Sequence, residues 1–280
     1  MGAAAGNGFQ TVRAAVDSAP AAPTGERLID VGGHRLALRC TGAGSPAVVL
    51  EPGLGESSAA MARWIAPDVA RATTVCVYDQ AGHGHSDPAP DHIDAARDLH
   101  VLLEHANVAG PYVLAGHSLG GMFALDYARR YPDQVAGVAL VDSMHPKQAN
   151  AFAGVSPLLS LIPALSRTGL AELLFDRADG DPGAQARQLA RDIAAMPGTL
   201  DRASRLTGLG DRPLAVISAG TGSLDGWPAQ QADLARLSRN ATHRTIPGAT
   251  HASLVDERRD AAQSSRAILD VVAAVREQDA

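Results

Sequence analysis

The stretch Gly116-His117-Ser118-Leu119-Gly120-Gly121 constrains this chain more than any other. An apolar run, Pro111-Tyr112-Val113-Leu114-Ala115, precedes it, and a helix-like run, Met122 to Arg130, follows. Strand, tight turn and helix in that order, with glycine two places before and two places after a serine, form the nucleophile-elbow pattern. The reason is steric. A serine on so sharp a turn takes a strained backbone conformation, and close strand–helix packing leaves no room for side chains beside it, so glycine is needed on both flanks. The hydroxyl then stands above the sheet edge, with the N-terminus of the following helix directed at it.

The rest of the chain alternates strands with helices around that point. Arg27 to Cys40 reads as a β-hairpin about the Gly32-Gly33 turn, and Pro46 to Glu51 as a short buried strand leading into the loop Pro52-Gly53-Leu54-Gly55-Glu56-Ser57-Ser58. A helix is expected from about Ala59 to Ala70, a strand over Thr73 to Asp79, a Gly/His-rich loop over Gln80 to Pro88, and a helix from about Asp91 to Asn107. After the elbow helix comes another strand, Val135 to Asp142. This order predicts a mostly parallel sheet covered by helices on both faces.

From Pro146 to about Asp211 the alternation stops. Helical patches at Leu158–Ile162, Leu170–Phe175, Gln185–Met196 and Leu200–Leu206 are separated by prolines and glycines, the pattern of a helical insertion. A strand over Pro213 to Gly220, a helix over Ala229 to Leu237, a short strand over Thr242 to Ile246 and a last helix over Asp256 to Arg276 complete the chain. The expected organisation is a tail over 1–23, a core over 24–145 and 211–280, and a helical lid over 146–210.

Composition excludes several classes of function. With 46% hydrophobic and 19% charged residues the chain is an ordinary globular protein, and its net charge of −6, with both signs interspersed, supplies no basic stripe for nucleic acid. No apolar run approaches the roughly 18 residues of a membrane span. The segment Met1 to about Pro23 is Ala/Gly/Pro-rich and lacks the apolar stretch of a signal peptide, so a cytoplasmic location is expected, with export or membrane tethering left open to any segment removed upstream of Met1. Cys40 and Cys76 are too few for a disulfide scaffold or a zinc site and read as small buried apolar side chains. Oligomeric state is not legible.

A serine hydroxyl needs a base within hydrogen-bond reach, and in parallel sheets the working loops lie at the carboxyl ends of the strands. That filter selects His251, in the loop between the last strand and the last helix. His117 adjoins the serine and its side chain is expected to point away; His83 and His85 could line the entrance. No His-Glu-x-x-His or similar spacing points to a metal, and no cofactor is expected. The base needs a carboxylate to orient it. Asp142, at the end of its strand, is preferred; Asp225, in the Gly-rich loop after the next strand, is the alternative. Asp79 precedes a tight glycine turn and is read as structural. The developing oxyanion needs two donors, assigned to the backbone N–H groups of Leu54 and Leu119.

Taken together, Glu51-Pro52-Gly53-Leu54-Gly55, Tyr78 to Asp87, Gly116 to Gly121 and Gly248-Ala249-Thr250-His251 resemble the capped, esterase-like branch of the α/β-hydrolase superfamily. The resemblance covers about residues 26–145 and 211–276. It implies an eight-stranded, mostly parallel sheet with an antiparallel second strand, a helical lid after the sixth strand, Ser118 as nucleophile, His251 as base, and Leu54 and Leu119 as oxyanion donors. Two departures matter. Pro52-Gly53 stands where many members have His-Gly, which leaves the Leu54 donor intact. The acid usual after the seventh strand has no well-spaced match, since residue 223 is Ser, whereas some relatives, the haloalkane dehalogenases among them, carry it after the sixth strand, where Asp142 falls. Dehalogenase chemistry is disfavoured because the elbow residue is Ser and not Asp. The family topology also sets the second strand beside the fourth, which would let Cys40 and Cys76 approach each other.

The expected function is hydrolysis of a carboxylic ester of a small, apolar substrate through an acyl-enzyme. An amidase, thioesterase, lactonase, lyase or perhydrolase would use the same frame, and a non-catalytic ligand-binding protein of this fold is the reading from a different class.

Overall fold

The computed structural model describes residues 25–88, 94–148, 182–223 and 225–280. Its eight strands are β1 (Arg27–Asp30), β2 (Arg35–Thr41), β3 (Val48–Glu51), β4 (Val75–Tyr78), β5 (Tyr112–His117), β6 (Val135–Val141), β7 (Leu214–Ala219) and β8 (Ala241–Ile246). They form one sheet in the order β1-β2-β4-β3-β5-β6-β7-β8. The β1–β2 and β2–β4 pairs are antiparallel and all others parallel. β3, β4, β5 and β7 are buried at every residue. Parallel strands need crossovers, and crossovers place helices over both faces, which is why these strands are apolar runs without alternation.

The period of two still decides which face each side chain serves. Val49, Cys76, Leu114, Val138 and Val216 pack into one core layer with the helices α3 (Ala95–His105), α4 (Gly120–Arg130) and α5 (Pro182–Ser204). Val48, Leu50, Val75, Val77, Val113, Ala115 and Ile217 pack into the other with the short helices α1 (Ala59–Ala62) and α2 (Ile65–Val69) and the long C-terminal α8 (Arg258–Gln278). α3 shows the local logic: Asp94 caps it by accepting the Arg97 N–H, and Leu99, Leu102 and Leu103 form its buried stripe. Each such leucine contributes roughly 1.5–3 kcal/mol by burial. Between β7 and β8 lies α6 (Trp227–Leu234), and α7 (Ser253–Asp256) precedes α8.

Three elements differ from the sequence reading. The helix expected over 59–70 is two pieces, α1 and α2, meeting at Arg63-Trp64. A continuous helix would set Pro67, which has no N–H, against the carbonyl of Arg63; restarting at Ile65 places the proline in a first turn, where no bond is lost. The last helix begins at Arg258 and not at Asp256. Glu257 is extended (φ −107°, ψ 126°) and separates it from the short α7. α5 departs in the opposite sense. It runs unbroken from Pro182 to Ser204 through Pro197-Gly198, where the sequence suggests two separate patches. Met196, Thr199, Leu200 and Ala203 are buried, and Arg202 Nε donates to Asp126 Oδ2 of α4 at 3.1 Å. Tertiary packing here overrides a local breaker.

Cys40 and Cys76 face each other directly across the β2–β4 ladder and are joined by a disulfide, with their Cα atoms 4.0 Å apart. They are therefore a cross-link, not the two free apolar side chains that their number suggests. The tail over 1–23 and the patches Leu158–Ile162 and Leu170–Phe175 lie outside the described residues. Among the described residues no helix is long and apolar enough to cross a membrane.

Candidate active site

β5 ends at His117, α4 begins at Gly120, and Ser118 between them has φ 53°, in the left-handed region that non-glycine residues rarely adopt. Its neighbours hold it there. The Ser118 N–H donates to the Val141 carbonyl at 3.1 Å, and its own carbonyl accepts the N–H groups of Gly121 and Met144. The flanking glycines have no substitute. A Cβ on Gly116 would lie 2.4 Å from the Gly121 nitrogen, one on Gly120 2.2 Å from the Glu51 carbonyl oxygen, and one on Gly121 2.0 Å from Ser143 Oγ. Close packing at the elbow thus excludes a side chain at all three positions.

Asp142 follows β6, itself at φ 41°. Its Oδ2 lies 2.7 Å from His251 Nδ1. Its Oδ1 accepts the Ala219 N–H at 3.0 Å and the Trp227 indole N–H at 2.8 Å. Burial works to raise the pKa of this carboxyl, but the bonds from His251, Ala219 and Trp227 outweigh it and hold the group below the usual carboxylate range. An ionised carboxylate only accepts, so Nδ1 of His251 donates to it, and in the neutral ring that leaves Nε2 with a lone pair. The Asp142 side chain is 3% exposed and that of His251 44%. Asp225 is exposed, and no hydrogen bond joins it to His251 among the described residues. Trp227, whose ring meets that of His251 edge-on at 5.9 Å, has no signal in the sequence: its indole reaches Asp142 across 85 residues of chain.

Leu54 follows β3 and Leu119 follows the elbow serine. Neither backbone N–H donates to a backbone carbonyl among the described residues. Ser118, His251, Asp142 and Leu54 line one cavity of about 270 Å³, together with Met144, Met196 and Trp227. Beneath the Leu54 loop, Glu51 is fully buried and its Oε2 accepts the Tyr78 hydroxyl at 2.5 Å. Burial pushes the Glu51 carboxyl up to about 8, against the opposing effect of the Tyr78 bond.

The remaining candidates fall elsewhere. His83 Nε2 pairs with Asp192 of α5 at 2.8 Å, and His85 Nδ1 with Glu26 at 2.9 Å. Asp79 accepts the N–H groups of Ser58 and His85, which fits its structural reading. His117 does not simply point away: its ring packs on that of His251, centroids 4.6 Å apart. Among the described residues, Glu26, Asp79 and His85 bring one ligand atom each within 4.8 Å of one another. Both Asp79 oxygens are already engaged by backbone N–H groups, and Arg39 and Arg63 line the same surface hollow.

The family profile described as alpha/beta hydrolase fold matches residues 46–161. A Variovorax paradoxus protein, provisionally named the carbamate hydrolase RutD, is 30% identical over 250 residues, 82% of this chain and 92% of that protein. The chain therefore belongs to the α/β-hydrolase family. An uncharacterised Schizosaccharomyces pombe protein is 28% identical over 214 residues; the match spans 67% of this chain and only 39% of that longer relative. Among solved structures, a thermophilic esterase from Thermogutta terrifontis superposes with a TM-score of 0.67 at 22% identity, covering 88% of this chain and 99% of the esterase. At that identity the likeness is one of fold.

Proposed function

We propose that the protein cleaves carboxylic esters through a covalent acyl-enzyme on Ser118. One observation carries the reading: the strained Ser118 lines the same cavity as the His251–Asp142 pair. In this reading His251 Nε2 takes the Ser118 proton as Oγ attacks the ester carbonyl, and Asp142 stabilises the imidazolium. The N–H groups of Leu54 and Leu119 receive the oxyanion. The tetrahedral adduct collapses, the proton passes to the leaving alcohol, and water activated by the same histidine releases the acid. Met144, Met196 and Trp227 favour an apolar substrate, and residues 146–210 serve as the lid. In the folded protein Ser118→Ala should abolish hydrolysis of p-nitrophenyl esters; undiminished turnover would reject the assignment.

A carbamate is the second reading, favoured by the name of the Variovorax relative. The same nucleophile, base and donors serve both carbonyls, so kcat/KM for a matched ester and carbamate separates them.

A further inference from the structure

We infer that Glu56 and His117 form a positioning link that holds the oxyanion loop, the nucleophile and the base in register, an inference that rests on the serine-hydrolase reading above. Glu56 Oε2 accepts the Gly53 N–H at 2.7 Å and lies 3.2 Å from His117 Nδ1. His117 Nε2 lies 3.2 Å from the His251 carbonyl oxygen. The chain of contacts therefore runs from the backbone of one loop, through two side chains, to the backbone of another, across 134 residues between His117 and His251.

Each anchor adjoins a working group. Gly53 precedes the Leu54 donor, His117 precedes Ser118, and the third anchor is the backbone of His251 itself. A shift in any one anchor is passed to the other two. Both atoms facing the His117 ring are acceptors, so the ring sits between the Glu56 carboxylate and the His251 carbonyl and contacts both. Burial works to raise the Glu56 carboxyl, but His117 and the Gly53 N–H hold it below the usual range, so it is ionised at neutral pH. The fit is close: a Cβ on Gly53 would lie 3.0 Å from Glu56 Oε2 and 3.2 Å from His117 Nδ1. His117 has a 1% exposed side chain, while that of Glu56 is 29% exposed, so Glu56 can be changed with less risk to folding.

The test compares the parent with Glu56→Ala, Glu56→Gln, His117→Ala and the Ala/Ala double variant. A misplacement of about 1 Å costs on the order of 100-fold in rate, so Glu56→Ala should lower kcat for p-nitrophenyl esters by about 10- to 100-fold with KM little changed. Glu56→Gln should restore most of it, because one amide oxygen can accept both bonds. The double variant should be no slower than the slower single variant. Hydrogen–deuterium exchange supplies a readout independent of turnover: Glu56→Ala should speed exchange in both 52–56 and 247–253. Parent-like kcat in Glu56→Ala, no restoration by Gln, or faster exchange confined to 52–56 would overturn the link. A parent that hydrolyses no ester would instead count against the serine-hydrolase reading, and the exchange result would still decide the link.

Discussion

His251 Nδ1 and Asp142 Oδ2 meet at 2.7 Å across 109 residues of chain. The contact joins the loop after β8 to the end of β6, and no such bond joins Asp225 to His251 among the described residues. Asp142→Asn should lower kcat by about 10³- to 10⁴-fold, as expected for loss of a base-orienting carboxylate. Asp225→Asn, an exposed change, should stay within about twofold. Steady-state kinetics on one ester checks both, and the reverse ordering would reject the pairing.

Trp227 donates to the same carboxylate. Trp227→Phe keeps a ring beside His251 and removes only the N–H. A hydrogen bond to a charged group is worth about 1.5–3 kcal/mol, so kcat should fall about 10-fold or more with KM little changed. Equal kcat in the variant would show that Ala219 alone suffices.

Glu51 should make stability depend on pH. Its folded pKa of about 8 lies above the ordinary value of 4.5, so the unfolded chain gives up the proton first as pH rises. Stability is then full below about 4.5, falls between the two values and levels off above about 8. Glu51→Gln removes this loss, and the gain of the variant over the parent should grow from about pH 5 to about pH 8.5 by at least about 1.4 kcal/mol, the worth of one pKa unit. Urea titrations at the two pH values measure it; a gain independent of pH would contradict the assignment.

The Cys40–Cys76 bond closes a loop with a sequence separation of 36. A loop of that length is worth about 3–4 kcal/mol through the unfolded state. The Cys40→Ala/Cys76→Ala double variant should lose that amount in denaturant titration. Disulfides persist in oxidising compartments, which runs against the cytoplasmic location expected from the leading segment. Maleimide labelling with mass analysis should find no free thiol in the native protein.

A mostly parallel sheet covered on both faces was legible because apolar runs such as Val48–Leu50 and Val113–Ala115 must be buried from both sides; the strand order was not, and the antiparallel second strand entered only through the family resemblance. The elbow was legible because its glycines answer a local steric demand that sequence spacing records. His251 and Asp142 stand at strand ends in the sequence reading, and their side chains meet in the structure. The contacts of Trp227, Glu56 and His117 were not legible, since they form between loops that no local spacing encodes. α5 shows the same limit in the backbone: Pro197 reads as a breaker until the buried Met196 and Leu200 are seen to hold the helix together.

The most direct measurement is intact-mass analysis with peptide mapping after treatment with a fluorophosphonate. The expected result is one adduct per chain, located on Ser118, lost in Ser118→Ala and greatly slowed in His251→Ala. An unlabelled native protein, or an adduct on any other residue with Ser118 unmodified, would contradict it.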